Sequence, residues 1–191
     1  MAAEIIRRRF TADEYQRMGT AGILSEDDRI ELIEGEIVAM SPIGPRHMAA
    51  VDRANRTLVM QAGDGAIVRV QGSVRLNLFT EPEPDLVLLR PRKDFYAWAH
   101  PGPDDILLII EIADSSLKYD RDVKGPLYAR LRVHEYWLAD LNEERLSCYS
   151  APQGIVYQQV EHYGRGRTVA PQLLPECSIA VDDLLASAPA D

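Results

Sequence analysis

The longest apolar run of the chain is Ile106-Leu107-Leu108-Ile109-Ile110, and it continues directly into Glu111. A short run without polar alternation is typical of a central strand that is covered on both faces. A second run of this kind is Leu86-Val87-Leu88-Leu89, which follows Pro84-Asp85. We therefore predict two neighbouring core strands, one beginning at an acid and the other ending close to one.

Helical and strand patterns surround these two runs. Helices are predicted from the capping box Thr11-x-x-Glu14 to about Met18 and over residues 46–61, 120–132 and 181–186, the third with Pro126 in its first turn or at a kink. Strands are predicted in a hairpin over 30–40 that turns at Glu34-Gly35, over 67–79 with a bulge at Gly72, and over 135–141, 146–150 and 155–163. The fold class is therefore α/β, and we expect one domain over residues 10–187 behind a loose arm of residues 1–9.

Composition and charge limit the function classes. The 191 residues include 21 Lys and Arg against 30 Asp and Glu, a net charge of −9, which excludes a protein that coats nucleic acid without specificity. Cys148 and Cys177 lack zinc-site spacing, which predicts two packed thiols and favours a reducing compartment. The longest apolar run is far below the roughly 18 residues that span a bilayer, and no export signal is visible. We expect a cytoplasmic protein without a membrane segment.

The two acids in the apolar strands predict a metal site. An unpaired buried carboxylate is costly, so Asp85 and Glu111 each need a cation. For one acid alone, pairing with an Arg, a Lys or a backbone N–H is the simpler explanation. Two acids on neighbouring strands favour a shared divalent cation instead, and hard oxygen ligands suit Mg²⁺ or Mn²⁺.

A lysine close to such a site helps to orient water or to stabilise the charge of a transition state. Lys124 follows Glu111 near the start of a predicted helix and can point back towards the end of the strand. Without the two acids, a solvent-exposed lysine would be the default interpretation.

Several motifs occur in a recognisable order along the chain. They are Glu-Leu-Ile-Glu-Gly-Glu at 31–36, Ser41, Pro42, Gly44 and His47, Glu-Pro-Asp-Leu at 83–86, Ile-Glu-Ile-Ala-Asp-Ser-Ser at 110–116, Tyr-Asp-Arg-Asp-Val-Lys at 119–124, Leu-Tyr-Ala at 127–129 and Glu-Tyr-Trp-Leu-Ala-Asp at 135–140. From about Phe10 to Leu185 the chain resembles the Uma-type endonuclease family, a branch of the PD-(D/E)xK, restriction-endonuclease-like superfamily.

This resemblance implies a central mixed β-sheet flanked by helices and Mg²⁺-dependent hydrolysis of phosphodiester bonds in DNA. It also implies that Asp85, Glu111 and the carbonyl group of Ile112 bind the metal. The superfamily's lysine normally stands two residues after the second acid, where this chain has Ala113. In this branch Lys124 matches the lysine position instead, so the chemistry requires that its side chain reaches the site.

Three further polar residues are candidates for the site. His47 matches a recurrent family position and is either a contact for metal, water or phosphate or a structural group. Glu34 either adds an acid to the site or is a plain exposed carboxylate in a turn. Asp120 either orients Lys124 across one helical turn or caps the helix.

Basic and aromatic residues in two loops are candidates for meeting the substrate. The basic residues that follow the two acid-bearing strands are Arg90, Arg92, Lys93, Lys118, Arg121 and Lys124. They predict either a basic rim around the metal site or two solvated loops. Tyr96 and Trp98 either stack on a base or cover the core.

Two other function classes compete with a nuclease. A non-catalytic scaffold of the same fold does not need Asp85, Glu111 and Lys124 to converge. A metal-dependent phosphohydrolase of a small phosphoester needs a closed pocket with its own phosphate clamp, and no P-loop pattern occurs, since Gly63-Asp64-Gly65 lacks the following Lys and Ser or Thr. We expect a homodimer, with the strand over 155–163 as a candidate edge.

Overall fold

The computed structural model describes residues 7–25 and 27–185, so most of the predicted arm, residues 1–6, lies outside the described residues. The helices are α1 (Ala12–Thr20), α2 (Pro45–Ala62), α3 (Leu117–Tyr119), α4 (Gly125–Arg130) and α5 (Val181–Leu184), with a π-helical turn, Asp120–Lys124, between α3 and α4. The strands are β1 (Ile30–Ile33), β2 (Glu36–Ala39), β3 (Ile67–Val70), β4 (Leu86–Leu89), β5 (Ile106–Ala113), β6 (Glu135–Asp140), β7 (Arg145–Gln153), β8 (Val156–Tyr163), β9 (Thr168–Val169) and β10 (Ile179–Ala180). Within the described ranges, no helix has the length and apolar character needed to cross a membrane.

The central sheet has six strands in the order β3-β4-β5-β6-β7-β8. Strands β5 and β6 pair in parallel, and the other neighbours pair antiparallel. The parallel pair requires a crossover, which the helical segment over residues 117–130 supplies. This arrangement confirms the predicted mixed sheet with flanking helices.

Both faces of the central sheet are covered, as the two apolar runs predict. Every residue of β4 and β5 is buried. On one face, Leu58 of α2 belongs to a core with Leu108 and Trp137, whereas Tyr128 of α4 and Tyr136 belong to the core on the other face. Each large apolar side chain buried in this way contributes about 1.5–3 kcal/mol to stability.

The β1–β2 hairpin is a separate two-stranded sheet beside the central one. Its turn residues Glu34 and Gly35 have φ angles of 52° and 85°, the pattern of a type I′ turn, which confirms the predicted hairpin. The hairpin is tied to the rest of the fold by two backbone hydrogen bonds between Leu32 and Glu81, of 3.2 and 2.8 Å. These bonds fix where the β1 side chains point.

The prediction of one long strand over residues 67–79 is wrong, because β3 ends at Val70. Gln71 has a φ angle of 45°, and its N–H donates to the carbonyl oxygen of Asp85 at 3.0 Å, which turns the chain away from the sheet. The partner strand also ends here, since Pro84 and Pro82 have no N–H with which to continue the ladder. Alternating apolar side chains persist in 74–78, but the backbone there folds back on 80–82.

The helix predicted over 120–132 begins earlier and is irregular. The helical segment starts at Leu117, so Asp120 lies inside it and is not its N-cap. Pro126 lacks the N–H that would bond to Asp122, and the N–H of Gly125 instead reaches back five residues to the carbonyl oxygen of Asp120. A π-helical turn at 120–124 results, and Gly125 separates it from the proline.

Candidate active site

The antiparallel pairing of β4 with β5 brings the two predicted acids together. Leu86 pairs with Ile110, so the preceding residue, Asp85, lies beside Glu111. The N–H of Asp85 donates to Glu111 Oε2 at 3.3 Å, and the N–H of Ile112 donates to Asp85 Oδ2 at 2.9 Å. One acid begins its strand and the other ends its strand, and both therefore stand at the same end of the sheet.

A cavity of about 560 Å³ lies over this pair. Asp85, Glu111, His47 and Lys124 all line it, together with residues of the β1–β2 hairpin and of segments 40–44 and 114–123. The side chains of Asp85 and Glu111 are only 14% and 4% exposed. The two carboxylates thus form part of the floor of a recess, not of an open surface.

Lys124 reaches this floor from the π-helical turn. Its Nζ lies 3.0 Å from Glu111 Oε1 and 3.2 Å from Glu31 Oε2. Burial alone would lower the pKa of Lys124, but the negative charges of Glu111, Glu31 and Asp120 outweigh it and raise that pKa far above its ordinary value. Lys124 is therefore a buried lysine whose protonated form is stabilised by the surrounding carboxylates.

Glu111 is held by groups on both of its oxygens. Besides Lys124, the hydroxyl group of Tyr128 donates to Glu111 Oε1 at 2.7 Å. Burial raises the pKa of Glu111, Lys124 opposes this, and the like charges of Asp120, Asp85 and Glu31 raise it further. Carboxylate side chains outnumber Lys and Arg side chains in the lining of the recess, which favours uptake of a cation.

His47 lies in the first turn of α2 and contacts Asp85. Its Nε2–H donates to Asp85 Oδ2 at 2.9 Å. Burial lowers the pKa of His47, but this hydrogen bond and the charge of Asp85 outweigh burial and raise the pKa above its ordinary value. His47 thus orients the Asp85 carboxylate.

Glu34 is not brought to this site. It stands in the exposed turn of the β1–β2 hairpin, where its Oε1 accepts a hydrogen bond from Arg130 Nη2 at 2.8 Å, and it does not line the cavity. The position suits an ordinary surface carboxylate, because the side chain of a turn residue points away from the sheet interior.

The predicted basic rim is also divided. Arg90, Arg92 and Lys93 follow the far end of β4, and since β4 and β5 are antiparallel they lie at the opposite end of the sheet from Glu111. Of the second basic group, Lys118 and Lys124 line the cavity. For Arg90, Arg92 and Lys93 the alternative of a solvated loop therefore applies, because the order of apolar runs does not reveal strand direction.

The two loop aromatics differ in their environments. Tyr96 is buried against the core, and its hydroxyl group donates to the carbonyl oxygen of Arg90 at 2.8 Å. Trp98 is 89% exposed. Tyr96 therefore covers the core, whereas Trp98 does not.

Comparison with known protein families shows to which family the chain belongs. A family model named Uma2, described as "Putative restriction endonuclease", matches residues 12–182. The chain belongs to this family. A solved structure from Anabaena variabilis ATCC 29413, described as a "putative nuclease belonging to DUF820", is 20% identical and covers 92% of this chain and 97% of its own, with a TM-score of 0.71. At that identity the likeness shows the fold alone. No curated protein matches the chain.

Sequence reasoning about this Uma2-family chain missed one buried acid of the recess. Glu31 is buried in β1, pairs with Lys124, and its Oε2 also accepts the N–H of Glu83 at 3.3 Å. The signal was present, because Ile30-Glu31-Leu32-Ile33 places an acid within apolar residues just as the run before Glu111 does. The hairpin pattern favours Glu34, in the turn, as the candidate acid, whereas the structure buries Glu31 in the recess.

The side chains of this Uma2-family site fit a magnesium ion. In the described part of the chain no group of three His, Cys, Asp or Glu side chains is arranged to hold a metal ion. The carboxylates available at this end of the sheet are those of Asp85 and Glu111. Asp85 Oδ1 accepts no hydrogen bond from a described residue, and the Ile112 carbonyl group points to the same side of β5 as its N–H, the side of Asp85. Mg²⁺ commonly takes one or two carboxylates and fills its other positions with water.

Proposed function

We propose that the chain is a metal-dependent endonuclease that hydrolyses phosphodiester bonds in DNA. The observation that carries this proposal is the convergence of Asp85, Glu111 and Lys124 on the floor of one recess. Membership of a family described as restriction endonucleases supports the same activity. A non-catalytic scaffold would not require these three side chains to meet.

Each residue has a separate role in the proposal. Asp85, Glu111 and the carbonyl group of Ile112 would hold Mg²⁺ or Mn²⁺, which would polarise a phosphate oxygen and neutralise charge. His47 holds the Asp85 carboxylate through Oδ2 and leaves Oδ1 for the ion. In the reaction a water oxygen bonds to phosphorus, the bond to the leaving oxygen breaks, and the proton released by the attacking water passes through solvent to the leaving oxygen.

Lys124 acts as a fixed positive charge and not as a general base. Its ammonium group has three N–H donors, and two are directed to Glu111 and Glu31. The third is available to a phosphate oxygen or to the attacking water. A lysine whose pKa is held far above neutrality does not accept the proton of that water.

A phosphohydrolase of small phosphoesters is the second candidate. The depth of the recess favours it, since the Glu111 side chain is only 4% exposed and a small molecule enters such a recess more readily than a duplex. A rigid B-form duplex would have to present a distorted or single-stranded segment. Comparison of DNA with small phosphoesters as substrates separates the two activities.

The test is a cleavage assay with plasmid DNA, single-stranded DNA and a small phosphodiester, each with Mg²⁺, Mn²⁺ or a chelator. We expect cleavage with either metal and none with the chelator, and we expect Asp85→Ala and Glu111→Ala to abolish it without unfolding the protein. Lys124→Ala should lower turnover more than metal affinity. Glu34→Ala is the matched control and should cleave normally. Full activity of purified Asp85→Ala would overturn the mechanism.

A further inference from the structure

Buried polar atoms without a hydrogen-bond partner are concentrated in the recess. Among the described residues six such side-chain atoms occur, and five belong to residues that line the same cavity. The five are Arg29 Nε, Glu31 Oε1, His47 Nδ1, Gln71 Nε2 and Tyr119 Oη. Tyr119 and Glu31 lie next to each other and interact, so Arg29, His47 and Gln71 are the three that need another partner. Buried polar groups in folded proteins are normally satisfied, so this concentration indicates a polar ligand.

Two of these groups are donors only. Arg29 Nε and Gln71 Nε2 cannot accept a hydrogen bond, so they require an acceptor such as a phosphate oxygen. Arg29 forms no ion pair or side-chain hydrogen bond with the other described residues. Gln71 is fixed beside Asp85 by the bond from its backbone N–H to the Asp85 carbonyl oxygen.

We propose that Arg29 and Gln71 form an anion subsite that takes a phosphate group beside the Asp85 and Glu111 carboxylates. This inference rests on the proposed function, because it places the substrate's phosphate next to the metal-binding acids. Neither residue belongs to the motifs that predicted those acids, so the subsite is a separate part of the recess. A guanidinium group matches the geometry of phosphate oxygens, and the side-chain amide of Gln71 adds a second, neutral donor.

The charges around this subsite make phosphate and metal binding depend on each other. Glu31, Glu83, Asp85 and Glu111 all line the cavity and repel an anion. A divalent cation offsets this repulsion, so phosphate should bind well only with the metal present. By thermodynamic linkage, phosphate must then tighten metal binding by the same factor.

The test uses the full chain and calorimetry. Mg²⁺ is titrated into the wild type and into Arg29→Gln, Gln71→Asn and the control Arg90→Gln, which alters an exposed arginine at the opposite end of the sheet. We expect all four proteins to bind Mg²⁺ alike without phosphate. Inorganic phosphate is then titrated at saturating Mg²⁺, and Arg29→Gln should weaken its binding by about tenfold or more, since a charged donor is lost. Gln71→Asn, which tolerates the left-handed backbone but shortens the amide, should weaken it less.

A short oligothymidylate distinguishes the two sources of phosphate. Parallel loss of phosphate and oligonucleotide affinity in Arg29→Gln assigns the subsite to the nucleic acid backbone. Loss of phosphate affinity alone assigns it to a small phosphoester. In both cases circular dichroism must show that the variant is folded, and Gln71→Asn gives an independent answer if Arg29→Gln is not.

Two results overturn the inference in distinguishable ways. If Mg²⁺ binds and Arg29→Gln binds phosphate as well as the wild type, Arg29 merely balances Glu83, and the metal site stands without the subsite. If the wild type binds no Mg²⁺ with or without phosphate, the proposed function and the subsite both fail.

Discussion

Lys124 and Glu31 form a buried ion pair in which Nζ and Oε2 are 3.2 Å apart. The same ammonium group also contacts Glu111. Because Lys124 has two counter-charges, Glu111 can direct its charge to a bound cation without leaving the ammonium group unpaired. Glu31 is therefore a positioning residue for Lys124, and it reaches the site from a hairpin outside the central sheet.

This arrangement predicts a non-additive pair of substitutions. Lys124→Met should lower the free energy of unfolding by about 3–5 kcal/mol, because Glu31 and Glu111 would remain buried without a counter-charge. The double variant Glu31→Gln/Lys124→Met should recover part of this loss, since it removes one of the uncompensated charges. Urea unfolding measures all three proteins, with Lys118→Met as the control on an exposed lysine. Equal instability of the single Lys124 variant and the double variant would contradict the pairing.

Magnesium is expected to stabilise the folded protein. A ligand at a hundredfold its dissociation constant adds about 2.7 kcal/mol. For a domain of this size, that gain raises the melting temperature by roughly 5–10 °C. Differential scanning calorimetry with Mg²⁺ and with a chelator measures the shift, and Asp85→Asn should abolish it while Asp94→Asn, at a partly buried position that does not line the cavity, retains it. A shift of the same size in Asp85→Asn would place the binding site elsewhere.

Tyr128→Phe tests the buried hydrogen bond to Glu111. The hydroxyl group donates to a carboxylate at 2.7 Å out of contact with water, and its loss should cost about 1.5–3 kcal/mol of unfolding free energy. Tyr163→Phe is the matched control, because its hydroxyl group donates to the exposed Glu161 and should contribute little. Chemical denaturation compares the two variants, and equal losses would show that burial does not set the strength of the Tyr128 bond.

The outer edge of β8 is the expected dimer contact. This strand is the last in the central sheet, and Val156 and Val160 are exposed on it. Light scattering after size exclusion should give twice the mass of the chain, and Val160→Lys should give the monomer, because a charged residue at an edge opposes strand pairing. A dimer that tolerates Val160→Lys would exclude this edge, and a monomeric wild type would exclude the dimer.

Local sequence patterns predict the two central strands and the two acids beside them. An acid beside an apolar run is visible without knowledge of the fold, so Asp85 and Glu111 were found, and the sheet confirms the two central strands. Its position after Glu111 makes Lys124 a candidate and the resemblance matches it to the family's lysine, but its approach to Glu111 depends on a helix irregularity that periodicity does not predict. Local patterns therefore identified the acids but not the way in which the lysine reaches them.

The errors concern information that a pattern does not contain. The alternation of apolar and polar residues over 67–79 predicts which side chains are buried, not where hydrogen bonding between strands stops. Strand β3 ends at Val70 because Pro82 and Pro84, which precede its partner β4, have no N–H to donate. Arg90, Arg92 and Lys93 follow β4 and lie at the end of the sheet opposite Glu111, because β4 and β5 are antiparallel. The sequence between the two strands permits a parallel or an antiparallel arrangement, so it does not predict this placement. Arg29 and Gln71 carry no motif at all, and only the three-dimensional arrangement shows that they line the recess.

The π-helical turn at Asp120–Lys124 matters for the comparison of relatives by alignment. Such a turn holds one more residue than an α-helical turn, so a relative with a regular helix would align only if a single-residue gap were opened between the second acid and the lysine. Without that gap, the relative's lysine would be aligned with a residue next to Lys124, and the relative would be judged to lack the lysine of the site. The number of residues between acid and lysine is therefore a poor criterion for judging which members retain a complete site.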